Sequence, residues 1–206
     1  MMFIDLAMRV QSNDPLPADH GYLLYSAVSN LLPEMHRENG IAIHPIAGLQ
    51  IGNRQLKLTD RSRLTIRVPD GQIAPLLKLA GQSLRIGGSA VRVGIPEVRS
   101  LIPATALRSR LVIINVAHHH GGDITPEVFA DSARKQLDAL EISPETILTP
   151  GRKRTLCVKQ REIVGYEVLL EHLTAEESIR IQESGLGGKR HMGAGVFLPF
   201  EGGRNG

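Results

Sequence analysis

The feature that most constrains this chain is an order of periodicities that runs through it twice. "MFIDLAMRV" alternates apolar with other side chains and predicts a strand from Phe3 to Val10. "QSNDPLPADHG" is a loop, marked by two prolines and turn-forming Asn and Asp. Asp19 is placed to cap the helix that follows, "GYLLYSAVSNLLPEMHREN". There Leu24, Val28, Leu31 and Leu32 recur at helical spacing and should face a core, with a break at Pro33. "GIAIHPIAGLQI" and "RQLKLTDRSRLTIRV" alternate as strands, and Asp70-Gly71 punctuates. "QIAPLLKLAGQS" then makes a short helix and "LRIGGSAVRVGIPEVRSL" extended chain. The first half therefore reads β-α-β-β-α-β.

The second half repeats that order. "ALRSRLVIINVA" is a strong strand whose β-branched residues on both faces predict a buried central position. Thr125-Pro126 supplies a cap and a first-turn proline for a helix through "EVFADSARKQLDAL". "KRTLCVKQ" and "IVGYEVLLEHL" form a hairpin. Thr174 and Glu177 make a capping box for a helix that ends at Gly185, and "AGVFLPF" is the last strand. The expected fold class is α+β, two ferredoxin-like βαββαβ domains at 1–101 and 106–206, joined near Ile102 to Ala106. A chain of 206 residues accommodates two domains of about 100 each.

Composition excludes several classes. With 42% apolar and 22% charged residues the chain is ordinary globular material, and no apolar run approaches the ~20 residues that span a bilayer. No membrane partner is expected. The N-terminus carries Asp5 inside its apolar stretch and no basic leader, so it does not read as a signal peptide. Cys157 is the lone cysteine, which rules out an internal disulfide or a Cys-based zinc site and fits a reducing cytoplasm. The net charge is only +3, but "GRKRTLCVKQR" concentrates Arg152, Lys153, Arg154, Lys159 and Arg161 with no acidic residue among them. Such a block repels itself unless it is solvated or met by a polyanion.

The densest glycine cluster lies near the end, in "ESGLGGKRHMGAGVFLPF", Glu183 to Phe200. Glycine permits φ > 0 and close backbone approach, and consecutive N–H groups can cradle an anion. Gly187, Gly188, Lys189, Arg190 and His191 are thus candidate phosphate contacts. The competing reading is a tight turn that needs glycine for packing. A Walker A loop is excluded, because the segment lacks G-x-x-x-x-G-K-[ST] and precedes no helix. A dinucleotide fingerprint would follow a first strand and open a helix, which this segment does not.

"GLGGKRHMGAGVF" resembles the G-x-G-x-x-[RK]-x-x-G-x-G-φ loop of the RAMP superfamily, and fits best with its CRISPR precursor-RNA endoribonucleases. Gly185, Gly187, Arg190, Gly193 and Gly195 fall on the pattern, and Phe197 follows in the strand. "LPADHGYLLYSAVSNLL…MHRENG" is similar to that family's first helix and its His-bearing C-terminal end. Residues 51–150 match in element order alone.

The resemblance implies RNA cleavage without a metal or cofactor. The 2′-hydroxyl attacks phosphorus, leaving a 2′,3′-cyclic phosphate and a 5′-hydroxyl. It implies CRISPR repeat RNA as partner, as precursor and as mature guide, with effector-complex subunits a further class. Histidine suits the two proton transfers because its unperturbed pKa of about 6.5 lies near working pH. His36 is the first candidate, at the end of the first helix in "EMHRENG", where a helix C-terminus favours imidazolium. His44 in "IAIHPIAG" is the second, with a solvent-facing strand residue as its plain alternative. Tyr25 and Ser29 offer hydroxyls on the same helix; Ser29 shares a face with His36 if the helix is uninterrupted. Which hydroxyl assists, and whether either simply packs, stays open.

His20 belongs to the helix entrance. His118 to His120 do not form a metal site on a regular strand, where neighbours point to opposite faces. "HLT" at His172 to Thr174 matches one half of a two-histidine phosphoesterase signature, but no second copy exists. With 3% aromatic residues and no Trp, an RNP-type stacking platform is not expected, so recognition should be electrostatic. A non-catalytic RNA-binding subunit of an effector ribonucleoprotein is the alternative, since it keeps the basic residues and needs no histidine.

Overall fold

The computed structural model describes residues 2–36, 40–115 and 124–202. The histidines at 118–120 lie outside them. The chain divides into two compact units. One holds Met1–Ser100, Cys157–Lys159 and His191–Gly193; the other holds Leu101–Leu156, Gln160–Arg190 and Ala194–Gly206.

The first unit contains β1 (Phe3–Gln11), β2 (Leu16–Pro17), α1 (Gly21–Leu31), β3 (Ala42–Ile43), β4 (Leu49–Gln50), β5 (Gln55–Lys57), β6 (Arg63–Pro69), α2 (Ile73–Leu76), β7 (Ser83–Ile86) and β8 (Ser89–Ser100). Its main sheet runs β3-β6-β1-β8-β7, with β1 antiparallel to both β6 and β8. Without the β7 edge, that is the 2-3-1-4 order of a ferredoxin-like unit. Alternation along β1 puts Ile4, Leu6, Met8 and Val10 on the buried face, beside Leu64, Ile66 and Val68 of β6. Each such side chain contributes about 1.5–3 kcal/mol on burial.

Three local expectations for this unit are corrected. Helix α1 is not capped by Asp19: its N-cap is His20, and Asp19 Oδ2 instead accepts from the Cys157 N–H at 2.8 Å. Leu24, Val28 and Leu32 are buried, but Leu31, the last helical residue, is exposed. The long strand expected across 40–51 is instead two separate two-residue strands, β3 and β4. After the His44 N–H donates to Thr65 O, Pro45 has no N–H to continue the ladder. The chain then joins a separate small sheet, β2-β5-β4.

His20 has a structural role. Its Nδ1 lies 2.9 Å from Pro17 O and its Nε2 accepts from the Ile46 N–H at 2.9 Å, so the ring is a neutral tautomer with the proton on Nδ1.

The second unit contains β9 (Ala106–Val112), α3 (Pro126–Ala139), β10 (Ile147–Val158, whose last two residues fall in the first unit), β11 (Arg161–Glu171), α4 (Ala175–Ser184) and β12 (Leu198–Pro199). Its sheet order, β10-β11-β9-β12, is again 2-3-1-4. Leu107, Tyr166, Val168 and Leu170 from the strands pack with Phe129, Ala133 and Leu137 of α3 and Ile181 of α4. The Thr125 cap, Pro126 at the first turn and the Thr174–Glu177 capping box are all present. Strand β9 is central as expected, yet it is not covered on both faces. Arg108 and Arg110 alternate outward and leave one face of the sheet open.

Candidate active site

Helix α1 positions the first group of candidate residues. Its apolar side carries Leu24, Ala27 and Val28 into the core, and the neighbouring strip lines a cavity of about 420 Å³. Tyr22, Tyr25, Ser29 and Asn30 contribute from the helix, with Lys159 and Met192 completing the wall. Ser29 is buried, and its Oγ finds no hydrogen-bond partner among the described residues. The Tyr25 ring meets the His191 ring at 4.5 Å between centroids, tilted by 55°. Lys159 sits at the hairpin turn, where it and Gln160 both take positive φ, 47° and 67°. Such a two-residue turn is normally made by Asn and Gly, because a side chain there is strained.

The α1 helix does not continue to His36. It ends at Leu31, and Pro33–His36 is a separate 3₁₀ turn. The two-turn argument that placed Ser29 and His36 on one helical face therefore does not apply.

His44 lies elsewhere, in the main sheet of the first unit. It is buried, and its Nε2 is 3.5 Å from Asp5 Oδ1. Asp5 in turn receives two hydrogen bonds from Arg67, itself almost wholly buried. Burial alone would raise the Asp5 carboxyl. Hydrogen bonds from His44 and Arg67, with their charges, outweigh it and hold the group well below the usual carboxylate range. His44 is thus held beside a fixed carboxylate and is not among the residues lining the α1 cavity.

The glycine segment is explained by packing. A Cβ on Gly187 would stand 2.1 Å from Ile113 O, on Gly195 2.1 Å from Leu186 O, and on Gly185 2.3 Å from Gly195 O. All three have positive φ. Their amides are engaged too. Gly187 N–H donates to Gln136 Oε1 and Gly188 N–H to Ile113 O, while Gly195 N–H reaches Leu111 O. The expected phosphate cradle from Gly187 and Gly188 is therefore corrected: those donors bond inside the second unit. Arg190 likewise turns inward, donating through Nη2 to Glu183 O near the end of α4 at 2.6 Å. Lys189 remains exposed.

The basic hairpin presents Arg152, Lys153 and Arg161 at the surface, with Arg154 half-buried. Sequence reading missed two features. One is the Asp5–Arg67 pair; the other is the open face of the second sheet, where Arg108 stacks near Phe200. The alternation of Arg108 and Arg110 along β9 was the available signal for the latter.

Two successive 2-3-1-4 sheets, each with helices on one face, define a protein of the tandem ferredoxin-like class. Comparison with known proteins narrows it. The family model described as "Cas6 Crispr" matches residues 4–202. The CRISPR-associated endonuclease Cas6 of Myxococcus xanthus is 36% identical over 199 residues, covering 97% of this chain and 82% of its own. Among solved structures, a Cas6-related protein from Pyrococcus furiosus superposes with a TM-score of 0.69 at 18% identity, covering 98% of this chain and 99% of its own. A RAMP protein described as binding different RNA substrates superposes at 0.70 and 16%, covering 98% and 100%. The chain belongs to the Cas6 family.

Proposed function

We propose that this chain is a metal-independent endoribonuclease that cuts CRISPR repeat RNA and keeps its mature product bound. The observation that carries the reading is the α1 cavity, in which the Ser29 Oγ, without a hydrogen-bond partner among the described residues, stands with Tyr25, Lys159 and the nearby His191 ring in a Cas6-family chain. In the reaction the 2′-oxygen bonds to phosphorus as the P–O5′ bond breaks, giving a 2′,3′-cyclic phosphate and a 5′-hydroxyl. His36, which closes the 3₁₀ turn, protonates the leaving 5′-oxygen. A hydroxyl of Tyr25 or Ser29 orients the attacking 2′-OH, whose proton passes to solvent water as the 2′-O–P bond forms. The Lys159 ammonium meets the charge gathering on the phosphorane. The step uses no group of His44, whose ring is held against Asp5 in the first unit. The exposed cations of the 152–161 hairpin hold the RNA backbone.

The experiment is cleavage of a repeat RNA in EDTA by the wild type and His36→Ala, beside an RNA with a 2′-deoxyribose at the scissile position. Expected are cyclic-phosphate and 5′-hydroxyl ends, loss of cutting by the variant and no cutting of the deoxy RNA. Cleavage of the deoxy RNA would overturn the mechanism. Tight binding without cleavage under any condition would replace the enzyme with a non-catalytic RNA-binding subunit.

A further inference from the structure

Arg108, Glu167 and Phe200 on the open face of the second sheet have no part in the reading above. Three guanidinium groups converge there on one carboxylate. Arg108 of β9 donates to Glu167 Oε1, Arg152 Nε of β10 lies 3.8 Å from Oε2, and Arg154 Nη2 lies 3.9 Å from Oε1. The Glu167 side chain is only 10% exposed, whereas those of Arg152 and Arg108 are 78% and 42% exposed. One carboxylate leaves this group with excess positive charge. The buried Nε of Arg154 also has no hydrogen-bond partner among the described residues.

Across the sheet, Phe200 continues β12. Its N–H donates to Ala106 O, and Leu198 is the register partner of Arg108, so Phe200 falls on the arginine side of the sheet. The Arg108 guanidinium stands over the half-buried ring at 5.4 Å from its centroid.

We infer that this face is a subsite for single-stranded RNA, in which Arg152 and Arg154 take a backbone phosphate and Phe200 takes an unstacked base. The inference rests on the proposed RNA-cutting function and adds to it a place where the substrate is read. Glu167 has a definite task. It holds Arg108 by a hydrogen bond and keeps Arg152 and Arg154 close but beyond hydrogen-bond distance of it. A phosphate oxygen can then bond to them without their first being ordered. Cations and a flat ring side by side on one strand face suit a polymer that alternates phosphate with base. An acidic peptide would satisfy the arginines and leave the ring unused. A duplex would offer phosphates but no exposed base face.

The probe is a 4-thiouridine-substituted repeat RNA with a 2′-deoxyribose at the scissile position, bound by the full chain across a salt series. Expected are an ultraviolet cross-link of the wild type mapping to the Phe200 peptide, and binding weakened about 5- to 100-fold by Phe200→Leu. Phe200→Tyr should restore the binding. Arg152→Ala should lower the salt slope by about 0.7. Cross-links that map only elsewhere would overturn the subsite, whether or not Phe200→Leu folds. So would binding by Phe200→Leu within twofold of wild type, or equal weakening by Leu and Tyr. If the wild type cuts repeat RNA under these outcomes, the enzymatic reading survives alone; if it binds no RNA, both readings fall.

Discussion

Asp5 and Arg67 face each other across β1 and β6, joined by Nε to Oδ1 at 2.7 Å and Nη2 to Oδ2 at 2.9 Å. The arginine is 1% exposed, so this is a two-pronged ion pair inside the first unit. Removing one partner strands the other charge away from water. Asp5→Asn should lower stability by about 3–5 kcal/mol, measured by urea denaturation. A loss under about 1 kcal/mol would mean that water reaches the pair.

The same pair sets an acid limit. The folded protein holds the Asp5 carboxyl well below its ordinary value of 3.8, through His44 and Arg67 acting against burial. An unfolded chain binds that proton more readily, so the stabilisation is present above pH 3.8 and is lost as pH falls toward the folded value. Glu177 is lowered as well, chiefly by the backbone N–H of Ser143 and then that of Thr174, and titrates in the same sense. Urea midpoints followed down from neutral pH should hold steady and then fall below about pH 4. Asp5→Asn should show a shallower acid limb. A fall that begins near pH 6 would point to histidine instead.

Within the glycine segment, the steric argument separates two neighbours. Gly187 has φ +70° and no room for a Cβ, whereas Gly188 has open space around it. Gly187→Ala should lose several kcal/mol or fail to fold, since backbone clash adds to the cost of a strained conformation, itself about 1–3 kcal/mol. Gly188→Ala should stay within about 0.5 kcal/mol of wild type, as surface changes do. Thermal melts of both variants decide it, and equal losses would refute the packing account.

Local signals in the sequence were reliable where the physics is local. Thr125-Pro126 and the Thr174–Glu177 box act within one turn, and the alternation of β1 needs only its own residues. Failures came where partners are distant in sequence. Asp5 and Arg67 are 62 residues apart, and only the strand order brings them together. Asp19 looked like a cap because its neighbours favoured one, but a backbone N–H 138 residues away claims it. The glycines attracted a ligand reading because φ > 0 serves phosphate loops and tight packing alike. What decides between them is the carbonyls of Ile113, Leu186 and Gly195, which no spacing reveals. Of the candidate site, α1 exposed Tyr25 and Ser29 to inspection, but the hairpin residue that lines the same cavity could be found only in three dimensions.

Ser29 carries the sharpest test of that cavity. A buried hydroxyl without a partner is unfavourable to the fold, and replacing it with a methyl group removes the desolvated oxygen. Ser29→Ala should therefore melt at or above the wild-type temperature. If the hydroxyl orients the attacking 2′-OH, the same variant should cut repeat RNA about 10²-fold more slowly, the loss associated with one positioned donor. A gain in stability paired with a loss in rate is the pattern of a residue kept for chemistry. Single-turnover cleavage and a thermal melt on one preparation give both numbers. Unchanged cutting by a stable Ser29→Ala would leave Tyr25 as the hydroxyl to pursue.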